Sequence, residues 1–308
     1  MVDLAGGVVR LNGIVADQRE AIKRSAASVQ EMIASAASVS EAVAKAAKAS
    51  ETLRAEGSDG REKVGEVGEA VMAIVSDYML PLAIVTGLYS IAYTWAFARI
   101  VDRRTLRTLG VGRRPGWGAQ FWKGAGLAFV ILLGVFLLSL LTGTIEVRGF
   151  ARPATETSSV AGYLAGAVVA FLLVGFYEEL MFRGYVLQVL NERAGRTASV
   201  LVSSAVFALM HGANPGADLM GLVNIVAIGA LLSYLYFRGG SLWMPIGFHT
   251  AWNFLLGYVF TLPVSGLPMR GVLDVVEVAG ANGAPGRYGP ESSIALTLAL
   301  AAWGAWVV

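Results

Sequence analysis

The sequence predicts an all-α fold: a polytopic membrane helix bundle of about seven transmembrane helices, preceded by a long helical, coiled-coil-like arm. Three observations lead there. The chain of 308 residues is 56% hydrophobic and only 15% charged, whereas soluble domains are about 25% charged. From Tyr78 onward the charges gather in short segments between apolar blocks. Before that point the sequence changes character and keeps a heptad register.

The arm comes first, and we divide the chain into residues 1–76 and 77–308. Residues 13–76 are rich in Ala, Ser, Glu and Lys and contain no aromatic residue. With Ile22 as position a, the a series runs Ile22, Val29, Ala36, Val43, Ser50, Gly57, Val64, Val71, and the d series Ser25, Met32, Val39, Ala46, Leu53, Gly60, Val67, Ile74. A register held this long predicts a coiled coil or helical hairpin, able to join copies of the chain into a homo-oligomer. Ser, Ala and Gly fill much of the seam, so little apolar area is buried. The Gly57-Ser58-Asp59-Gly60 run marks a break or bend. The stretch SVQEMIASAASVSEAVAKAAKASETL resembles, in composition, the helical arm of a chemoreceptor signalling domain.

The membrane part follows as seven blocks: 78–98, 124–145, 157–177, 197–217, 219–237, 239–269 and 292–308. Each approaches or exceeds the ~20 residues that carry a helix across a hydrocarbon core of about 30 Å. The third block is expected to continue as helix to about Asn191, with a turn at 194–196. The last block stops on Trp306-Val307-Val308 without a polar cap, as expected of a clipped chain. Arg99, Arg103, Arg104, Arg107, Arg113, Arg114 and Lys123 cluster between the first two blocks. The positive-inside rule assigns that loop to the cytoplasm. Arg193, Arg196 and Arg238 then fall on the same side by alternation. The same count sets the arm outside, although its composition is that of a cytoplasmic helix, and its side stays open. The expected location is a bacterial or archaeal cell membrane, crossed several times.

Several classes are excluded or unsupported. There is no Cys, hence no disulfide, thiolate metal site or cysteine nucleophile. A formal charge of +2, with no basic stripe carrying interleaved aromatics, gives no sign of nucleic-acid binding. Residues 1–20 hold no basic segment followed by an apolar run, so no secretory signal is expected.

Ionisable groups at membrane depth are costly, and they are functional candidates for that reason. Three places qualify: Tyr177-Glu178-Glu179-Leu180-Met181-Phe182-Arg183, Phe207-Ala208-Leu209-Met210-His211 and His249-Thr250-Ala251-Trp252-Asn253. The only two histidines of the protein are both among them. Adjacent glutamates point about 100° apart on a helix, so they serve different partners. Glu179 reaches Arg183 at i+4, and an ion pair there neutralises both groups. Glu178 is then left for another task. His249 and Asn253 also stand four apart, on one helix face. Glu178 lies 15 residues before Arg193 and His211 lies 14 after Thr197, about 22 and 21 Å of helix. The spacing predicts that Glu178, His211, His249 and Asn253 reach one depth from three helices and share a polar pocket. The alternative is that these groups only fix helix packing.

These motifs, E-E-x-x-x-R, F-x-x-x-H and H-x-x-x-N in order on successive apolar helices, resemble the CAAX-protease and bacteriocin-processing family of intramembrane proteases. Phe182-Arg183-Gly184, Leu242-Trp243-Met244-Pro245-Ile246-Gly247 and Gly289-Pro290-Glu291-Ser292 belong to the same resemblance, which covers about residues 78–308. It implies an endopeptidase acting on a membrane-associated peptide or a lipidated protein, by C-terminal CAAX-type or leader-peptide processing. It further implies that Glu178 activates water with help from His211, while His249 and Asn253 stabilise the oxyanion. Glu179 and Arg183 support the pocket. Glu178, His211 and His249 could instead be the three protein ligands of a divalent metal such as zinc. The H-E-x-x-H spacing is absent, however, and no carboxylate partner for a ligating histidine stands out. Metal-dependent and metal-free chemistry both stay open. The other readings are a non-catalytic membrane immunity or scaffold protein and a sensory fusion working through the arm.

Overall fold

Proline, glycine and β-branched residues decide where the apolar blocks become helix and where they do not. The computed structural model describes Lys45 and residues 81–113, 115–151, 160–278 and 286–307. The heptad arm, Lys45 apart, lies outside the described residues, and with it the coiled-coil and oligomer expectations.

Helix α1 is described over Pro81–Ile100. A π-helical turn, Arg107–Val111, leads to α2, Trp117–Leu141. Strand β1, Ile145–Phe150, precedes α3, Val160–Glu179. Helix α3 runs on through a π-helical turn, Leu180–Val186, into α4, Leu187–His211. Gly195, at φ 78°, interrupts α4 within the turn expected at 194–196. Asp218 caps α5, Leu219–Gly239, accepting from the Gly221 N–H at 2.6 Å. Helix α6, Trp243–Phe254, ends in a third π-helical turn, Leu255–Val259. Strand β2, Leu273–Glu277, pairs antiparallel with β1 from Ile145↔Glu277 to Phe150↔Leu273. A short 3-10 turn, Pro290–Ser292, then enters α7, Ile294–Val307.

The fold is therefore mostly helical, and among the described residues four stretches are long and apolar enough to cross a membrane: Pro81–Ile100, Trp117–Leu141, Val160–His211 and Leu219–Gly239. Large apolar side chains such as Val85, Leu88, Trp95, Phe129, Val130, Leu201 and Val223 stand exposed on these helices, as suits a surface whose solvent is lipid. The seven blocks correspond to the seven helices α1–α7; the third and fourth run together in the stretch Val160–His211, which Gly195 interrupts, and among the described residues α6 and α7 are shorter than a span. Two block boundaries need correction. The block 239–269 leaves helix after Val259: Thr261 and Ser265 adopt positive φ, at 56° and 45°, and Pro263 and Pro268 cannot donate to a helical ladder. The block 124–145 begins earlier, at Trp117, and ends at Leu141, where Gly143 at φ 68° turns the chain into a strand. The β1–β2 ribbon is thus an addition to an all-α expectation.

Helix α6 is the axis of the bundle. Pro245 through Thr250, then Trp252 and Asn253, are all buried. It can lie this deep because glycines let backbones meet. A Cβ on Gly124 of α2 would stand 2.0 Å from the Met244 carbonyl oxygen, and one on Gly247 would stand 2.0 Å from that of Phe121. On the other side, a Cβ on Gly175 of α3 would lie 2.9 Å from Thr250 Oγ1. Small residues at crossings are how helices associate in lipid, where no hydrophobic force draws them together.

Gly124→Ala should therefore lower the thermal stability of the purified protein by about 1–3 kcal/mol, the usual cost of overpacking. Gly134→Ala on the same helix, with nothing within 4 Å of the added Cβ, should be neutral or stabilising. Equal melting temperatures for the two variants would contradict the crossing.

Candidate active site

Helix α3 delivers both glutamates at its last turn, and their different azimuths give them different surroundings. The Glu179 side chain is fully buried, while that of Glu178 is 16% exposed. Arg183, one turn on, is also fully buried and donates from Nη1 to Glu179 Oε1 at 2.9 Å. This is the i,i+4 pair the spacing predicts. Arg183 lies in the π-helical turn and spends Nη2 on the Gly229 carbonyl of α5 at 3.1 Å. Its guanidinium carbon sits 4.5 Å from the centroid of the Phe207 ring of α4, a cation–π contact.

The pair has a further partner. His249 Nδ1 of α6 stands 2.9 Å from Glu179 Oε1, the oxygen that Arg183 also uses. A carboxylate here can only accept, so Nδ1 carries the proton. The ring is thereby fixed with Nε2 directed at Glu178, whose Oε2 is 3.8 Å away. Glu178 Oε2 has no hydrogen-bond partner among the described residues. Asn253 is buried one turn beyond His249 on the same helix.

His211 arrives differently. It closes α4, and its Nδ1 donates to the Phe207 carbonyl one turn back at 2.8 Å. That leaves Nε2 of the neutral ring as an acceptor. The Phe207 ring is 4.5 Å from the His211 ring and 6.1 Å from that of His249, so it stands as the shared wall of the two imidazoles. Phe182 packs edge-on against Phe207 at 5.0 Å. Among the described residues no hydrogen bond or ion pair joins His211 to Glu178 directly. The structure thus brings Glu178, Glu179, Arg183 and His249 into contact and sets His211 beside them across Phe207.

The zinc alternative fits less well. Among the described residues no three His, Asp or Glu side chains converge closely enough to hold a metal ion. Glu178, His211 and His249 do not form that set here. The carboxylate partner that seemed missing for a histidine is nevertheless present, as Glu179.

The sequence reading gives no role to two groups. One is the Gly229 carbonyl, which accepts from both Arg183 and Ser233 Oγ, the latter at 2.8 Å. The other is Glu291, 1% exposed, which accepts from Trp252 Nε1 of α6 at 3.3 Å. The Gly289-Pro290-Glu291-Ser292 run draws notice by resemblance, but no spacing rule connects it to α6.

Arg183→Ala would leave Glu179 as a buried carboxylate short of its cation, and we expect a loss of about 3–5 kcal/mol in chemical unfolding. Combining it with Glu179→Gln should restore part of that loss. A double variant worse than Arg183→Ala alone would contradict the pairing.

The segment that carries these residues is similar to known proteins. Residues 160–255 match the family described as "Type II CAAX prenyl endopeptidase Rce1-like", and they contain Glu178, Glu179, Arg183, His211, His249 and Asn253. The "Putative membrane peptidase YdiL" of Bacillus subtilis is 28% identical over 162 residues, 50% of this chain and 61% of that protein. The "Uncharacterized protein YyaK" of the same organism is 24% identical over 192 residues, 60% of this chain and 62% of that protein. The "Uncharacterized 24.3 kDa protein" of Escherichia coli is 27% identical over 153 residues, 49% of this chain and 68% of that protein. The chain thus spans less than two-thirds of the first two relatives, and no solved structure matches it. The segment similar to this family is thus the one that carries the buried Glu-Glu-Arg-His cluster on apolar helices.

Proposed function

We propose that the chain is an intramembrane endopeptidase of a multi-pass cell-membrane protein, cleaving membrane-associated peptides or lipidated proteins with water activated by Glu178. The observation that carries this reading is the half-open pair of Glu178 Oε2 and His249 Nε2, 3.8 Å apart at the edge of a buried charge network. Glu178 is the glutamate not spent on Arg183, and it is the more accessible of the two.

Two acceptors, Glu178 and His211 Nε2, suit a water molecule by taking its two hydrogens and leaving an oxygen lone pair for attack. Glu178 removes one proton as the oxygen bonds to the scissile carbonyl carbon. The carbonyl oxygen becomes an oxyanion, for which the Asn253 amide and His249 Nε2 are donors. His249 serves as a donor there only with both nitrogens protonated, because Nδ1–H is already given to Glu179. Collapse of the intermediate breaks the C–N bond, and the proton held by Glu178 passes to the leaving amine. No step requires a metal ion. The family description supports a prenylated C-terminal peptide as substrate, while leader-peptide processing would use the same groups.

Glu178→Gln should lower kcat by roughly 10²–10⁴-fold, the range for loss of a general base, with little change in melting temperature because Glu178 is outside the ion pair. The assay uses purified protein and matched farnesylated and unmodified peptides. Turnover by Glu178→Gln at the wild-type rate would overturn the assignment.

A further inference from the structure

Helix α6 is held at two points of its buried face, His249 and Trp252, and the second hold is also a carboxylate. Glu291, in the 3-10 turn before α7, accepts the Ser265 backbone N–H on Oε2 at 2.7 Å. Its Oε1 accepts from Ser265 Oγ at 3.1 Å and from Trp252 Nε1 at 3.3 Å. Three donors from two segments thus meet on one side chain. The Glu291 backbone carbonyl accepts from Asn224 Nδ2 of α5 at 2.8 Å, so the turn is itself anchored. Ser265 is one of three non-glycine residues with positive φ among the described residues, at 45°, a conformation that needs its surroundings to hold it. Asn214 Nδ2 adds a bond to the Ser265 carbonyl at 2.9 Å.

A carboxylate is a costly choice for this place. Burial pushes its carboxyl up to about 7, against the Ser265 and Trp252 hydrogen bonds that favour the ionised form. A merely space-filling role would be met by an apolar residue. Trp252, moreover, directly precedes Asn253 and follows His249 by three positions, and it stacks on Phe248 with ring centroids 5.4 Å apart. Glu179 fixes the His249 ring from α3, whereas Glu291, in the turn before α7, ties Trp252 of the helix that carries it to Ser265.

We propose that Glu291 is a positioning residue of this site: by joining Trp252 to Ser265 it sets the height and rotation of the α6 face that presents His249 and Asn253. The tie stands on geometry alone, and its effect on turnover rests on the peptidase reading above. Glu291 touches neither reacting group and acts through α6.

The test uses the full chain in lipid nanodiscs, with nitrogen-15 label in the tryptophan indoles and histidine rings. There are seven Trp and two His, and Trp252→Phe and His211→Gln assign the signals. In Glu291→Ala the Trp252 indole and the His249 ring signals should both move, while Glu291→Gln, which keeps one acceptor, should move them less. In the peptidase assay, Glu291→Ala should lower kcat about tenfold, as for modest misplacement of a catalytic group, and leave KM within about twofold. Adding Trp252→Phe to Glu291→Ala should cost nothing more, because both act through one bond. Unmoved Trp252 and His249 signals in Glu291→Ala overturn the proposal, as does a fully additive double variant. An inactive wild-type protein with the expected signal changes would sink the peptidase reading and leave the tie intact.

Discussion

One carboxylate oxygen, Glu179 Oε1, accepts from Arg183 and from His249 at 2.9 Å each, and the site depends on that shared acceptor. Removing two charges from water costs several kcal/mol per ion even after relaxation. The cost is tolerable only where the geometry is good and the remaining donors are used. Arg183 meets this in part, by reaching Gly229 on α5 with Nη2 and by lying on the Phe207 ring of α4, while its Nε and Glu179 Oε2 have no hydrogen-bond partner among the described residues. Glu179 meets it by accepting from α6. Satisfying one ion pair therefore ties three helices together by hydrogen bonds and engages a fourth through an aromatic face. The histidine orientation is a by-product of that electrostatic necessity.

This network needs backbones closer than ordinary side chains allow. Gly124, Gly247 and Gly175 supply the approach around α6, and a Cβ at any of them would meet a neighbour at 2.9 Å or less. The π-helical turn Leu180–Val186 directly follows Glu179 and carries Arg183. Turns of this kind insert an extra residue into a helix and recur at functional sites. Packing and chemistry are thus one design in this bundle: the crossings put α6 in the middle, and its burial protects a charge cluster that water would otherwise screen.

Much of this is legible in the sequence, for definite reasons. Glu179 and Arg183 are four apart, so helical geometry alone pairs them. Gly195 sits in the turn that separates two runs of helix, and the rarity of ionisable groups in apolar blocks points to Glu178, His211 and His249. What is hidden depends on sequence-distant contacts. Glu179 and His249 are 70 residues apart, and no periodicity reveals that a carboxylate paired with arginine has a second bond to give. Depth arithmetic brings His211 level with Glu178, but it is silent on Phe207 standing as the wall beside both imidazoles. The block 239–269 reads as continuous apolar helix by composition. Its end at Val259 is set by Pro263 and Pro268 and by the left-handed Thr261 and Ser265, the latter held through Glu291.

The most direct test of the shared-acceptor account is the protonation of the two imidazoles, read from nitrogen-15 shifts of histidine-labelled wild-type protein. Nδ1 should be protonated in both rings, in His211 toward the Phe207 carbonyl and in His249 toward Glu179 whether or not Nε2 also carries a proton, and Glu179→Gln should disturb His249 while leaving His211 unchanged. A His249 ring with a bare Nδ1 and a protonated Nε2 would contradict it.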